Sequence, residues 1–164
     1  MTTMFSIPES ATAVTAIDAI LAYAARMRAS DIHCDPLVGH TMIRLRIDGQ
    51  VEEAGIVPLR LHEEIISRLK ILADARTDIH AVPQDGRWGT TIEGEPYHIR
   101  ISFMPTYHGE NAVMRLLPLR SSENISFSRL GFTPDHVRAI SESLKQTSGL
   151  ILVSGPTGSG KTTT

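Results

Sequence analysis

The sequence predicts an α+β domain, in which helices cover one face of an antiparallel sheet, followed by the beginning of a second, α/β domain. Three observations support this prediction. Apolar residues recur at helical spacing in two segments, 13–29 and 59–74. Apolar and polar residues alternate, as in half-buried strands, in several segments between residues 42 and 117. A polar stretch near residue 120 then precedes a capped helix and a short apolar run.

The composition of the 164 residues fits a folded chain, since 41% are hydrophobic and 21% are charged. A net charge of −2 provides no general attraction to nucleic acid or anionic lipid, so neither is predicted as a partner. The single cysteine, Cys34, excludes an intramolecular disulfide and fits a reducing compartment. Neither a membrane-spanning apolar run nor a secretory signal is recognisable. We therefore expect a soluble, cytoplasmic protein with no direct membrane span.

The first helix is predicted over residues 13–29, and Ser10 or Thr12 can cap its N-terminus. The buried stripe of this helix is predicted to consist of Val14, Ile17, Leu21 and Ala24.

A β-hairpin is predicted next, with strands over 42–48 and 50–57 joined at Asp48-Gly49, a dipeptide that readily adopts the positive φ angles of a tight turn. Arg44 and Arg46 share the polar face of the first strand, and we expect them to form structural or inter-subunit ion pairs.

A second helix is predicted over 59–74, and antiparallel strands follow it. Glu93-Gly94-Glu95 indicates another hairpin turn. The strand after this turn has Arg100 on its polar face and Ile99 and Ile101 on its apolar face. The last strand of the domain is predicted over 112–117.

The predicted domain boundaries place a tail at 1–12, the α+β domain at 13–118, a linker at 119–131 and the beginning of the second domain at 132–164. Thr133-Pro134-Asp135 predicts a helix start, and the run 150–153 predicts a parallel strand buried on both faces. The buried stripe of this later helix is predicted to be Val137, Ile140 and Leu144.

The strongest functional signal follows that run, because residues 155–162 match the motif G-x-x-x-x-G-K-[ST] at every fixed position. The glycines allow backbone N–H groups to converge on phosphate oxygens. Lys161 would reach the β- and γ-phosphates, and the Thr162 hydroxyl would bind Mg²⁺. The motif therefore predicts a phosphate loop that binds ATP and Mg²⁺. Its nucleotide-binding residues are predicted to be Gly155, Pro156, Thr157, Gly158, Ser159, Gly160, Lys161, Thr162 and Thr163.

The sequence given contains two residues after Thr162, and it lacks the helix, the further strands and the acidic residues that such a loop works with. We therefore expect the chain to be a fragment, or the opening part of a longer ATPase, that does not hydrolyse ATP by itself.

Several short phrases upstream of the loop occur in a fixed order. They are 29–33, 44–49, 67–70, 83–87, 100–102, 105–106, 109–110 and 115–117, followed by 149–164. With these phrases the chain closely resembles the secretion ATPase superfamily, specifically its type II secretion and type IV pilus assembly branch (general secretory pathway protein E-like).

The resemblance implies a PAS-like N-terminal domain that a flexible linker joins to the truncated start of a RecA-like ATPase core. It implies a homo-hexameric motor, peripheral at the inner membrane, that uses ATP to power pilus assembly or retraction or type II secretion. Inner-membrane platform proteins are the implied partners. Two alternatives are a type IV secretion or conjugation ATPase, and a non-catalytic PAS-like interaction module with a vestigial phosphate loop.

By the same resemblance, Arg100 and Arg115 match the two arginines of the N-terminal domain that act as arginine fingers on nucleotide bound to the core. The polar-face position of Arg100 agrees with this role. The alternative for both is a surface arginine paired with a carboxylate. Asp31 and His33 also match family-typical positions, and for them the expected role is hydrogen bonding at a helix-to-strand junction.

Overall fold

A computed structural model describes residues 4–119, 126–127 and 130–155. The chain divides into two compact units, Met1–Leu119 and Arg120–Thr164, and each is described by itself. Within the described residues, no helix has the length and apolar character that a membrane crossing requires.

The first unit is built on one seven-stranded sheet, counted over residues 4–119. Its elements are β1 (Phe5–Ser6), α1 (Ala13–Arg26), β2 (Asp31–Leu37), β3 (His40–Ile47), β4 (Gln50–Pro58), a 3₁₀ turn (Leu59–Leu61), α2 (His62–Leu72), β5 (Gln84–Ile92), β6 (Glu95–Thr106) and β7 (Gly109–Pro118). The strand order is β1-β4-β3-β2-β7-β6-β5. Only the pairing of β1 with β4 is parallel among these strands, so the predicted α+β class is confirmed for this unit. The PAS-like assignment stays a prediction.

The two faces of the sheet differ in polarity. Alternate strand residues such as Ile32, Ile99 and Met114 are buried together with the apolar sides of α1 and α2 in one core. Trp88 packs partly buried against this core. Residues one position away in sequence lie on the opposite face, which carries most of the charged side chains of the strands. The helices therefore leave the second face open for other contacts.

Helix α1 begins at a reciprocal cap, in which the Thr12 side chain accepts from the Thr15 backbone and Thr15 in turn bonds back to Thr12. Of the predicted stripe, Ile17, Leu21 and Ala24 are buried, but Val14 is 48% exposed, so that part of the prediction is wrong. The buried side also includes small alanines, which move its centre about 90° away from Val14 at 3.6 residues per turn.

Two predicted turns are confirmed, and they set the registers of their hairpins. Asp48 and Gly49 have φ angles of 49° and 85°, and Glu93 and Gly94 have φ angles of 50° and 85°. These positive values are those of a two-residue type I′ turn. The predicted order of elements, however, omitted β1 and β2. The alternation within β2, between buried Ile32 and Cys34 and their polar neighbours, was a signal for that strand.

A buried ion pair ties α2 to β7. The Lys70 side chain is fully buried, and its Nζ lies 2.7 Å from Glu110 Oε2. Lys70 also donates to the Ile79 carbonyl at 2.6 Å, and His80 Nδ1 lies 2.6 Å from the same Glu110 oxygen. The Glu110 carbonyl is bonded to the buried His62 ring at 2.9 Å. The network therefore fixes both α2 and the segment that leads into β5 against the start of β7.

The second unit contains one regular element among its described residues, α3 (Pro134–Ser143). Thr133 caps it by accepting from the His136 backbone N–H, as predicted. Two other predictions for this unit are wrong. No residue of α3 is buried, and residues 150–153 are exposed and lie in no strand. Both segments need an apolar partner surface, and the described residues of this unit contain no sheet and no second helix that could supply one.

The buried pair yields a stability prediction. Replacing Lys70 by Met removes the buried partner of Glu110 and leaves that carboxylate only the contact with His80, so we expect Lys70→Met to lower the free energy of unfolding by about 3–5 kcal/mol. The double variant Lys70→Met/Glu110→Leu removes both charges and should recover most of that loss. Urea denaturation followed by circular dichroism measures both effects. Arg76→Ala, which breaks an exposed pair with Asp78, is the control and should change little. A single variant as stable as the unchanged chain would contradict the assignment.

Candidate functional site

Charged residues of five neighbouring strands lie side by side across the open face of the sheet. In order they are Arg46 on β3, Asp31 on β2, Arg115 on β7, Arg100 on β6 and Arg87 on β5, each the direct register partner of the next. We call this set the arginine row. Because it contains four guanidinium groups and one carboxylate, three positive charges are unbalanced within it.

Asp31 is the anionic centre of the row. Its carboxylate accepts from Arg115 Nε at 2.9 Å and from Ser30 Oγ at 2.8 Å, and Arg46 Nε lies 3.3 Å away. Burial raises the pKa of Asp31, but the hydrogen bonds from Ser30 and Arg115 and the charges of Arg115 and Arg46 outweigh burial and lower the pKa. Asp31 thus stays ionised and orients two arginines, a larger role than the junction contact that was expected.

The two predicted finger arginines differ in their partners. Arg115 is exposed, and its Nε–H donates to Asp31. This hydrogen bond leaves its two terminal amino groups for another acceptor. Arg100 is also exposed, and within the described residues its side chain has neither a hydrogen bond nor an ion pair. The carboxylate-paired alternative therefore describes Arg115 in part and does not describe Arg100.

The row opens onto a cavity of about 510 Å³ on the same face. Its lining includes the arginines Arg87, Arg100 and Arg115, the carboxylates Asp31 and Asp85, and Ser102. Long arginine side chains from three neighbouring strands therefore converge on one open volume that a flexible polyanion can enter. Planar guanidinium groups bind phosphate and carboxylate oxygens in pairs, which makes phosphate a suitable ligand for this cavity.

Further along β3 and β2 on the same face, Arg44 and Asp35 form an ion pair, so their charges cancel. Arg44 Nε donates to Asp35 Oδ2 at 2.6 Å, and this hydrogen bond raises the pKa of Arg44. The predicted ion pairing of Arg44 and Arg46 is thus observed within the chain, with Asp35 and Asp31 as the partners. Burial lowers the pKa of His33, and its buried Nε2 has no hydrogen-bond partner within the described residues, so the bond expected there is not seen.

Most of the predicted phosphate loop lies outside the described residues. Gly155 is the last residue described, and it is exposed. The remaining predicted nucleotide-binding residues, Pro156, Thr157, Gly158, Ser159, Gly160, Lys161, Thr162 and Thr163, fall outside, as does the predicted magnesium contact of Thr162. Their roles stay predictions.

Sequence reasoning missed Arg87 as a member of the row, although the register contains the necessary signal. A two-residue turn at 93–94 pairs residues whose numbers add to 187, which places Arg87 opposite Arg100. A turn at 107–108 likewise places Arg100 opposite Arg115. The turn dipeptides and the alternation of faces along each strand were sufficient to place Arg87, Arg100 and Arg115 side by side on β5–β7.

The family model and two of the relatives that match the chain are described as secretion system proteins. A family model described as type II/IV secretion system protein matches residues 8–164. The chain is 38% identical over 164 residues to the type II secretion system protein HxcR of Pseudomonas aeruginosa, covering 100% of this chain and 35% of that protein. It is 41% identical over 148 residues to type II secretion system protein E of Xanthomonas campestris, covering 90% of this chain and 26% of that protein.

A pilus protein and a solved structure also match. The chain is 40% identical over 157 residues to the type IV pilus assembly ATPase PilB of Myxococcus xanthus, covering 95% of this chain and 28% of that protein. The X-ray structure of the Legionella pneumophila ATPase DotB superposes with a TM-score of 0.55 at 16% identity, over 98% of this chain and 43% of that one. The chain thus spans about a third or less of these curated relatives' length.

The role of Asp31 predicts a pH dependence of stability. Its pKa in the folded chain is below the ordinary value of 3.8, so its charge stabilises the fold above about pH 4, and this contribution is lost as the pH falls through the folded pKa. At pH 7 we expect Asp31→Asn to lower the free energy of unfolding by about 1–3 kcal/mol. The difference from the unchanged chain should shrink at pH 3. Urea titrations at both pH values test this, and a difference independent of pH would contradict it.

Proposed function

The chain belongs to the type II/IV secretion system protein family, and on that premise we propose that it is the N-terminal portion of an ATP-hydrolysing motor subunit. The unit at residues 1–119 would serve as the PAS-like domain, and the residues after the linker as the start of a RecA-like core. The motor would power type II secretion or the assembly or retraction of a type IV pilus, since relatives with both names match the chain.

The unbalanced charge of the arginine row is the observation that carries this proposal. Three arginines on adjacent strands, Arg87, Arg100 and Arg115, line one open cavity together with two carboxylates, Asp31 and Asp85, so that arginines outnumber carboxylates in it. A nucleotide triphosphate carries several negative charges on closely spaced oxygens, which the guanidinium groups of the arginine row can bind. The phosphate-loop motif at residues 155–162 gives an independent reason to expect a triphosphate as ligand.

The proposed division of labour follows from the chemistry of each part. The phosphate loop, with Lys161 and with Mg²⁺ held through Thr162, binds the triphosphate and positions it. Arg100 and Arg115 reach the same nucleotide within a homo-hexameric ring and stabilise the charge that develops on the γ-phosphate oxygens. Inner-membrane platform proteins bind the ring and receive its motion, which would place the protein at the cytoplasmic face of that membrane.

Activity of the intact protein tests this function. Arg100→Ala and Arg115→Ala should each lower kcat for ATP hydrolysis by about 10³-fold, because each removes a group that acts mainly on the transition state. The KM for ATP should change much less. A steady-state phosphate-release assay measures both quantities.

Two controls accompany this assay. Lys161→Ala should abolish turnover and so shows the background, and Arg76→Ala removes an exposed arginine away from the row and should leave turnover unchanged. Full activity in both row variants would refute the finger role. An intact protein with no ATPase activity at all would favour the interaction-module alternative.

A further inference from the structure

Arg87 lies on the sheet edge strand β5, directly opposite Arg100 on β6. With Arg115 on β7, it completes a series of three guanidinium groups on consecutive strands. Adjacent strands are about 4.8 Å apart, so the three backbone positions span about 10 Å. All three side chains are exposed and line the same cavity.

Like charges placed directly opposite one another in a sheet are destabilising unless a counter-charge is near. Most of the other arginines of this unit have such a counter-charge, and among the described residues Arg28 and Arg68 are the exceptions. Arg26, Arg44, Arg46, Arg60, Arg76 and Arg115 each have a carboxylate oxygen within 3.3 Å. Within the described residues, the side chains of Arg87 and Arg100 have no such partner. Asp85, two residues before Arg87 on β5, lines the same cavity and accepts a hydrogen bond from Ser102 at 2.5 Å, but it forms an ion pair with neither arginine.

The backbone beneath Arg87 is held in place although it belongs to an edge strand. A Cβ atom added at Gly86 would lie 2.4 Å from the Ala73 carbonyl oxygen, so β5 contacts the end of α2 through a position that only glycine can fill. On the other side of Arg87, Trp88 packs against the core. Arg87 therefore projects from a fixed point, which lowers the entropy that it loses on binding a ligand.

We propose that Arg87 is a third phosphate-contacting residue, which binds the triphosphate beside Arg100. This inference rests on the proposed function and extends it. The three arginines span a longer distance than one phosphate group covers. Asp31 binds Arg115 from β2, on the side of Arg115 away from Arg100. Arg87 thus contacts oxygens other than those that Arg115 contacts, and it acts mainly on binding, because the charge of the phosphates that are not transferred persists throughout the reaction.

The test compares variants of the intact protein in ATP hydrolysis. Arg87→Ala should lower kcat/KM by about 10-fold or more, with most of the change in KM. Arg87→Lys should recover part of the loss, because it restores the charge without the two-point geometry of a guanidinium. Inorganic tripolyphosphate, used as a competitive inhibitor, reports on phosphate contacts alone, and its inhibition constant should rise in Arg87→Ala by a similar factor.

Arg76→Ala is the matched control, since it removes an exposed arginine that lies outside the row. If Arg100→Ala and Arg115→Ala lower kcat while Arg87→Ala behaves like Arg76→Ala, the inference is wrong and the proposed function stands. If all three row variants behave like the control, the proposed function itself fails. If Arg87→Ala lowers stability in urea, Arg87→Gln is used instead, because it keeps part of the side-chain stem and removes the charge. Unchanged KM and inhibition constants in a folded Arg87→Gln would overturn the proposal.

Discussion

The charges of the arginine row determine what the open face of the sheet can bind. Asp31 contacts both Arg115 and Arg46, whereas Arg100 and Arg87 form no ion pair within the described residues, although Asp85 lines the same cavity. Two unpaired guanidinium groups side by side repel each other until an anion is placed between them. The part of the open face around Arg87 and Arg100 therefore favours an anionic ligand.

The rest of the first unit holds the arginine row in place. Two-residue turns fix the registers of two of its hairpins, so that charged residues far apart in sequence meet across the sheet. The apolar face, packed under α1 and α2, supplies the stability. The buried pair of Lys70 and Glu110 joins α2, the segment before β5 and the start of β7 in one network. The strands that carry Arg87 and Arg115 are thereby both anchored to the same helix.

Sequence patterns predicted much of this unit, because its elements are specified locally. The turn dipeptides at Asp48 and Glu93, the cap at Thr12 and the alternation around Arg100 each depend on a few neighbouring residues, and all are observed. The arginine row could not be predicted in full, since it needs the order of strands, in which β2 lies between β3 and β7. Val14 was predicted to be buried, but its exposure depends on which side of α1 contacts the sheet. The apolar run at 150–153 was predicted to be a strand, but a strand needs neighbouring strands to pair with.

The most direct measurement is a structure of the intact, assembled protein with Mg²⁺ and a non-hydrolysable ATP analogue. We expect guanidinium nitrogens of Arg100 and Arg115 within hydrogen-bond distance, about 2.7–3.2 Å, of triphosphate oxygens in the ring. An assembled ring in which every triphosphate is bound, yet the whole arginine row contacts solvent or protein carboxylates instead, would contradict it.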